Sequence, residues 1–337
     1  MKRKIIRLGD SYAISLPKGW IEHYAIKKSD EVDIEEINSG TLTINCLKKE
    51  TEEIIDTIHI DRDEPMEHIF AKIYRSYING FKTIILTGQL DKNQYEVIKK
   101  VQKRLIGLEV MEQSEKRIIF KDFIHIEDID LDKFTSNIFN HLIGMATELA
   151  DDIKNKKEIG DKIKDMDAAV DRTTNLVFRC LNLALKDSQY MKKTKKDTHE
   201  LMILSRIIKN LEKIGNMLVG ISYYMNETPT KNMKEYGYML FKRDNQIDTY
   251  TIQFLNDWIG YIKPIRDALF KKKTERAIEI YTDRRTRKTM DIIFKMQNES
   301  SEKENRDIDR AHIEKLVSHF EPVISLSYDI AKDVIVL

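Results

Sequence analysis

The apolar positions of this chain change their period twice between the first residue and the last. Over residues 1–47 they come in short runs broken by turns. Lys4 to Leu8 reads as a strand, Gly9-Asp10-Ser11 as a turn and Tyr12 to Leu16 as a second strand. Pro17 then opens a short helix from Lys18 to about Ala25, because its missing N–H costs nothing at a first helical position. Asp30 to Ile37 alternates apolar with acidic residues, Asn38-Ser39-Gly40 makes a turn, and Thr41 to Leu47 returns as a strand.

Residues 50–122 follow another rhythm. Strands are expected at Glu53 to Ile60, Phe81 to Thr87, Leu108 to Gln113 and Lys116 to Lys121, with helices at Pro65 to Asn79 and Asn93 to Ile106. That β-α-β-α-β-β order predicts a small open sheet with helices on one face. Gly88 stands alone, without the glycines of a nucleotide loop. Lys99, Lys100, Lys103 and Arg104 give the second helix a basic face, either a solvated surface or an addition to a nucleic-acid footprint.

From about residue 128 the spacing is helical. Stripes run through Phe134, Ile138, Leu142, Met145, Leu149 and Ile153, then Ile159, Ile163, Met166, Val170, Thr173 and Val177, then Leu201, Leu204, Ile208, Leu211, Gly215 and Leu218. Three such helices enclose a bundle core. After a break at Asn226-Glu227-Thr228-Pro229, Ile247 to Leu269 marks a fourth helix kinked at Pro264, with a fifth from about Thr274 to Gln297 and a sixth from Asp307 to about Val336. Sliding the chain by 116 residues places Phe294 on Phe178, Ile293 on Val177 and Asp283 on Asp167, so 128–337 reads as a duplicated three-helix unit, 128–228 and 240–337. The expected fold class is multidomain α+β, with domains at 1–48, 50–122 and 128–337.

Charge changes the picture of the first domain. Residues 1–28 hold seven Lys and Arg against Asp10 and Glu22, a net +5, whereas residues 29–47 hold five acids and no base, a net −5. The whole chain is nearly neutral at +1, so this is a local dipole with one face suited to polyanions. Four strands and a turn of helix in fewer than about fifty residues do not bury a core alone, and without disulfide or metal the remaining route is a second copy. A homodimer is therefore expected.

These residues resemble the AbrB/SpoVT-type swapped-hairpin domain. The resemblance runs through Lys4-Ile5-Ile6-Arg7-Leu8-Gly9-Asp10-Ser11-Tyr12-Ala13-Ile14-Ser15-Leu16-Pro17-Lys18 and Ile26-Lys27-Lys28-Ser29-Asp30-Glu31-Val32, with Asp10, Leu16 and Ser29 where the family commonly has Asn, Ile and Gly. It implies a dimeric β-barrel of interleaved hairpins that binds DNA through the first strand and its turn. Arg3, Lys4, Arg7 and Lys18 are the expected phosphate and base contacts, with Ser11 and Ser15 as hydroxyl donors. An antitoxin uses the same domain, but antitoxins of this type are short chains with a disordered tail.

The helical region resembles PhoU, a family of tandem three-helix bundles acting in phosphate signalling. Leu211-Glu212-Lys213-Ile214-Gly215-Asn216 looks like its Leu-Glu-Arg-Ile-Gly-Asp signature, and Asp167-Ala168-Ala169-Val170-Asp171 like its acidic helix motif. Carboxylates four apart share a helix face, so the resemblance implies a divalent or ferric ion held by Asp167, Asp171 and Glu212; a solvated or lysine-paired acidic stripe is the other reading. In the second repeat Asp283 with Arg287 and Glu321 with Ser325 leave that pattern eroded.

No catalytic constellation is present, and His312 and His319 read as ordinary surface or interface residues, so no enzyme is expected. Cys46 and Cys180 do not make a disulfide framework, no apolar run follows the basic start as in a leader, and no segment approaches the roughly twenty apolar residues of a membrane helix, so the expected location is the cytoplasm. The sequence thus points to a DNA-binding regulator of phosphate uptake, dimerising through its first domain and sensing or relaying phosphate status through its helices. The alternative is an adaptor without DNA binding that docks on a phosphate transporter ATPase or sensor kinase.

Overall fold

The computed structural model describes residues 2–38, 40–46, 54–91, 94–125, 128–159, 161–226, 245–282, 291–296, 298 and 307–337. The expected break at 227–229 and the pair Asp283 and Arg287 lie outside them. The chain divides into two compact units, Met1–Glu53 and Ile54–Leu337.

In the first unit β1 (Ile6–Leu8) pairs antiparallel with β2 (Ser11–Ala13). Leu8 faces Ser11 across the two-residue loop Gly9-Asp10, and Gly9 takes φ +60°, which glycine adopts without a Cβ penalty. Pro17 precedes α1 (Lys18–His23) as its N-cap, one place earlier than expected, and its carbonyl accepts from Trp20 and Ile21, each at 3.1 Å. The helix closes with Ala25 N–H donating to Glu22 and Ile26 N–H to Ile21, a Schellman ending in which Ala25 sits at φ +46° where glycine is usual. β3 (Val32–Asn38) and β4 (Thr41–Cys46) form a second antiparallel pair, bulged between Glu36 and Asn38.

Within one chain these strands make two separate two-stranded sheets and not a closed barrel. Nor does the unit hold a core: none of its described residues is buried, and Ile5, Leu8, Tyr12 and Leu42 stand 70, 63, 73 and 67 % exposed. Two-stranded ribbons this short do not stabilise themselves in water.

The second unit begins with a four-stranded sheet ordered β5 (Ile55–His59), β6 (Thr83–Thr87), β8 (Arg117–Asp122), β7 (Leu108–Gln113). β5 runs parallel to β6 and the other pairs are antiparallel. Ile58, Ile84, Leu86, Ile118 and Phe120 point to one face, where Ile69, Ile73 and Tyr77 of α2 (Met66–Ile78) and Val97 and Val101 of α3 (Glu96–Arg104) cover them. The alternation of β5, β6 and β8 is that of a sheet with one face packed, as the element order predicts.

The rest is helical: α4 (Leu131–Lys154), α5 (Lys162–Lys186), the short α6 (Ser188–Thr194), α7 (Thr198–Tyr224), α8 (Asn245–Lys271), α9 (Thr274–Thr282), a helical stretch at 291–296 and α10 (Asp307–Ile335). α4, α5 and α7 pack on one another, as do α8, α9 and α10, and the two triads join through the equivalent pairs α7 with α10 and α4 with α8. One continuous apolar core results, with Phe254 stacked on Phe320 at 3.9 Å and Trp258 Nε1 donating to Ser327 Oγ at 2.9 Å. No described helix is long and apolar enough to cross a membrane. His312 is not at the surface. It is buried in the α7–α10 crossing with Nε2 2.8 Å from the Tyr224 carbonyl, and His319 packs edge-on to Tyr224 beside Gly220, where a Cβ would strike its ring.

Sheet layer and helices belong to one unit because α5 fastens them. Asn175, Arg179, Asn182 and Lys186 recur at helical spacing on one face of α5. Asn175 Nδ2 donates to the Arg104 carbonyl at 3.1 Å, Asn182 Nδ2 to Ile78 O at 2.9 Å, Arg179 to Tyr77 O, and Lys186 to Asn79 Oδ1. These acceptors lie at the C-terminal ends of α2 and α3, where carbonyls lack partners within the helix. Arg179 and Asp122 are fully buried, joined Nη2 to Oδ2 at 2.7 Å, with Lys82 Nζ reaching the same oxygen at 2.9 Å.

Candidate nucleic-acid interface

Arg3 and Lys4 precede β1, Arg7 is its central residue, Ser11 starts β2, Ser15 lies between β2 and Pro17, and Lys18 is the first residue of α1; all six are exposed. The pleat divides them. Arg7 pairs across the ribbon with Tyr12, whereas Ser11 pairs with Leu8 on the face that also carries Ile6 and Ala13. Arg7 and Tyr12 therefore share one face and Ser11 belongs to the other. Arg7 Nε donates to Gly9 O at 3.1 Å, which holds the guanidinium against the turn. Lys18 pairs with Glu22 at 3.6 Å, both well exposed, so its charge is partly compensated.

Tyr12 is the residue sequence reading passed over. An exposed aromatic ring opposite an arginine offers a stacking surface beside a cation, and its signal was an aromatic at a strand position directly across the turn from Arg7. The acids fall elsewhere: Glu31, Asp33 and Glu36 lie on or just before β3. Asp30 turns inward on its own loop, accepting from Lys27 N–H at 2.6 Å.

Three of the four bases of α3 are engaged locally. Lys99 pairs with Glu96 at 2.8 Å, Lys100 with Glu67 at 3.8 Å while lying over the Phe70 ring, and Arg104 with Asp171 at 3.8 Å. These contacts favour a helix face serving its own fold over an added footprint.

The acids proposed for a metal do approach one another. Asp167 is buried, its Oδ1 has no hydrogen-bond partner, and it fits only because Gly215 of α7 has no side chain to collide with it. Burial, then the charges of Asp171 and Glu212, push its carboxyl up to about 7. Burial likewise raises Asp171 and Glu212, the latter also through Asp171. Among the described residues, however, no three His, Cys, Asp or Glu side chains converge to hold an ion. Asp171 turns to Arg104, and Asn216, where the signature has an acid, donates back to the Glu212 carbonyl of its own helix at 3.3 Å. The residues present do not fit the divalent or ferric ion.

Comparison with known proteins bears on the first unit. Residues 5–53 match the family model described as antidote-toxin recognition MazE, bacterial antitoxin. No curated protein and no solved structure matches the chain. The family match coincides with the unit that carries the basic ribbon and in which no described residue is buried.

Proposed function

We propose that this chain is a transcription regulator that binds DNA as a homodimer through residues 1–48, and that its PhoU-like helices sense or relay phosphate status. The observation that carries the DNA-binding part is a unit whose described residues are all at least partly exposed, with Ile5, Leu8 and Leu42 uncovered and a net charge of +5 gathered in residues 1–28. A second copy supplies the apolar partner, leaving Arg3, Lys4, Arg7 and Tyr12 to meet the duplex. The family match supports the same reading. The phosphate part rests on the residues of the helical repeat, Asp167 to Asp171 and Leu211 to Asn216.

The family description favours a second reading, an antitoxin. Against it stands the chain beyond residue 53, which enters β5 and a packed core where a toxin-binding tail would be unstructured.

Arg7→Ala tests the proposal. Binding to promoter duplexes weakens and the slope of log affinity against log salt falls by about one unit; an unchanged salt titration counts against it. Sequencing the DNA that co-purifies from phosphate-rich and phosphate-starved cells tests the regulated output. Recovery of no enriched duplex, with phosphate control intact after deletion of residues 1–47, favours the adaptor on a transporter ATPase or sensor kinase.

A further inference from the structure

Asp167 and Asp171 lie one turn apart on α5, and Glu212 bears on them from α7. The charged and titratable groups set against these carboxylates are Tyr74 of α2, Arg104 of α3, Lys164 of α5, and Lys209 and Lys213 of α7, with α4 adding none. Arg104 acts on all three carboxylates, whereas Lys164, Lys209 and Lys213 each act on one. Its carbonyl and its guanidinium both meet α5. Asn175 Nδ2 donates to its carbonyl at 3.1 Å, and its Nη2 lies 3.8 Å from Asp171 Oδ2, one turn along the same helix.

We infer that Arg104 is the built-in counter-cation of this acidic face: its guanidinium, set at Asp171, takes the electrostatic place that the PhoU resemblance gives to a metal ion, and the pair fastens α3 to α5. A guanidinium keeps its charge at every physiological pH and presents several donors in a plane, so it neutralises spread carboxylates that do not converge on a point. A divalent ion entering here meets that positive charge at close range and must displace it. Because Arg104 belongs to the same chain, its local concentration does not depend on metal supply. The acidic motif of the helical repeat thus has as its partner another layer of its own protein.

The test is Asp171→Asn in two backgrounds of the full chain, read as the urea midpoint. In the wild type it removes the partner of Arg104 and lowers the midpoint or leaves it unchanged. In Arg104→Gln it removes an uncompensated charge beside Asp167 and Glu212 and raises the midpoint. The same effect in both backgrounds overturns the inference. A second measurement stands even where Arg104→Gln does not fold: titration of the wild type with MnCl2 into the millimolar range gives no saturable heat. Saturable Mn2+ binding that disappears in Asp171→Asn would show an ion in the place assigned to Arg104, and the inference would fall.

Discussion

Asp167 is a buried carboxyl whose Oδ1 has no hydrogen-bond partner. Its folded value near 7 lies above the ordinary 3.8, so the folded state holds the proton more tightly than the unfolded one. The stabilisation from that proton is full below about pH 3.8 and is lost as pH rises through about 7, a decline of up to a few kcal/mol. Asp167→Asn keeps the shape without the charge, so it flattens this dependence and makes the protein more stable than the wild type at pH 8. Urea unfolding at pH 5 and pH 8 measures it; an equal change at both values sinks the assignment. Ser29 shows a different local cost. It occupies φ +75° in the turn closed by Asp30 N–H to Lys27 O at 3.1 Å, a conformation that penalises any Cβ. Ser29→Gly is expected to stabilise the first unit by roughly 0.5–1 kcal/mol, read as a higher midpoint for the transition followed by Trp20 fluorescence in a Trp258→Phe background.

At the scale of elements, α5 does two jobs along one helix. Its apolar stripe enters the bundle core through Ile163, Val170 and Val177, while Asn175, Arg179 and Asn182 cap the ends of α2 and α3. Arg179→Met removes the buried partner of Asp122 and leaves its charge to Lys82 alone, with an expected loss of roughly 3–5 kcal/mol. Replacing both together, Arg179→Met with Asp122→Leu, recovers most of that loss, because no buried charge remains unpaired. Denaturant unfolding of the two variants decides the point. A double variant as weak as the single one means the guanidinium acts through its bonds to Tyr77 O and Phe81 O and not through Asp122.

At the scale of the whole molecule, two units of opposite character share the chain. Ile54–Leu337 carries its own core, whereas Met1–Glu53 carries none among its described residues. If the proposed association runs through the first unit, deletion of residues 1–47 turns a dimer into a monomer while preserving helical circular dichroism. Sedimentation equilibrium of both forms checks this, and a shortened chain that remains dimeric would place the self-association in the second unit.

Much of this organisation is legible in the order of residues. The turn at Gly9, the period-two runs of β5 and β6 and the stripes of α4, α5 and α7 are local or periodic signals, and secondary structure obeys them because burial of one face depends on spacing alone. Charge density is likewise visible without a fold, and it singled out residues 1–28. What only the tertiary structure decided is which polar groups meet. Arg179 finds the Tyr77 carbonyl across 102 positions of sequence, and Arg104, whose spacing on α3 fits either a solvated surface or a DNA footprint, faces Asp171 instead. Whether an acid binds a metal, pairs with a guanidinium or is buried with its proton depends on distance and desolvation, and neither exists until the layers have packed.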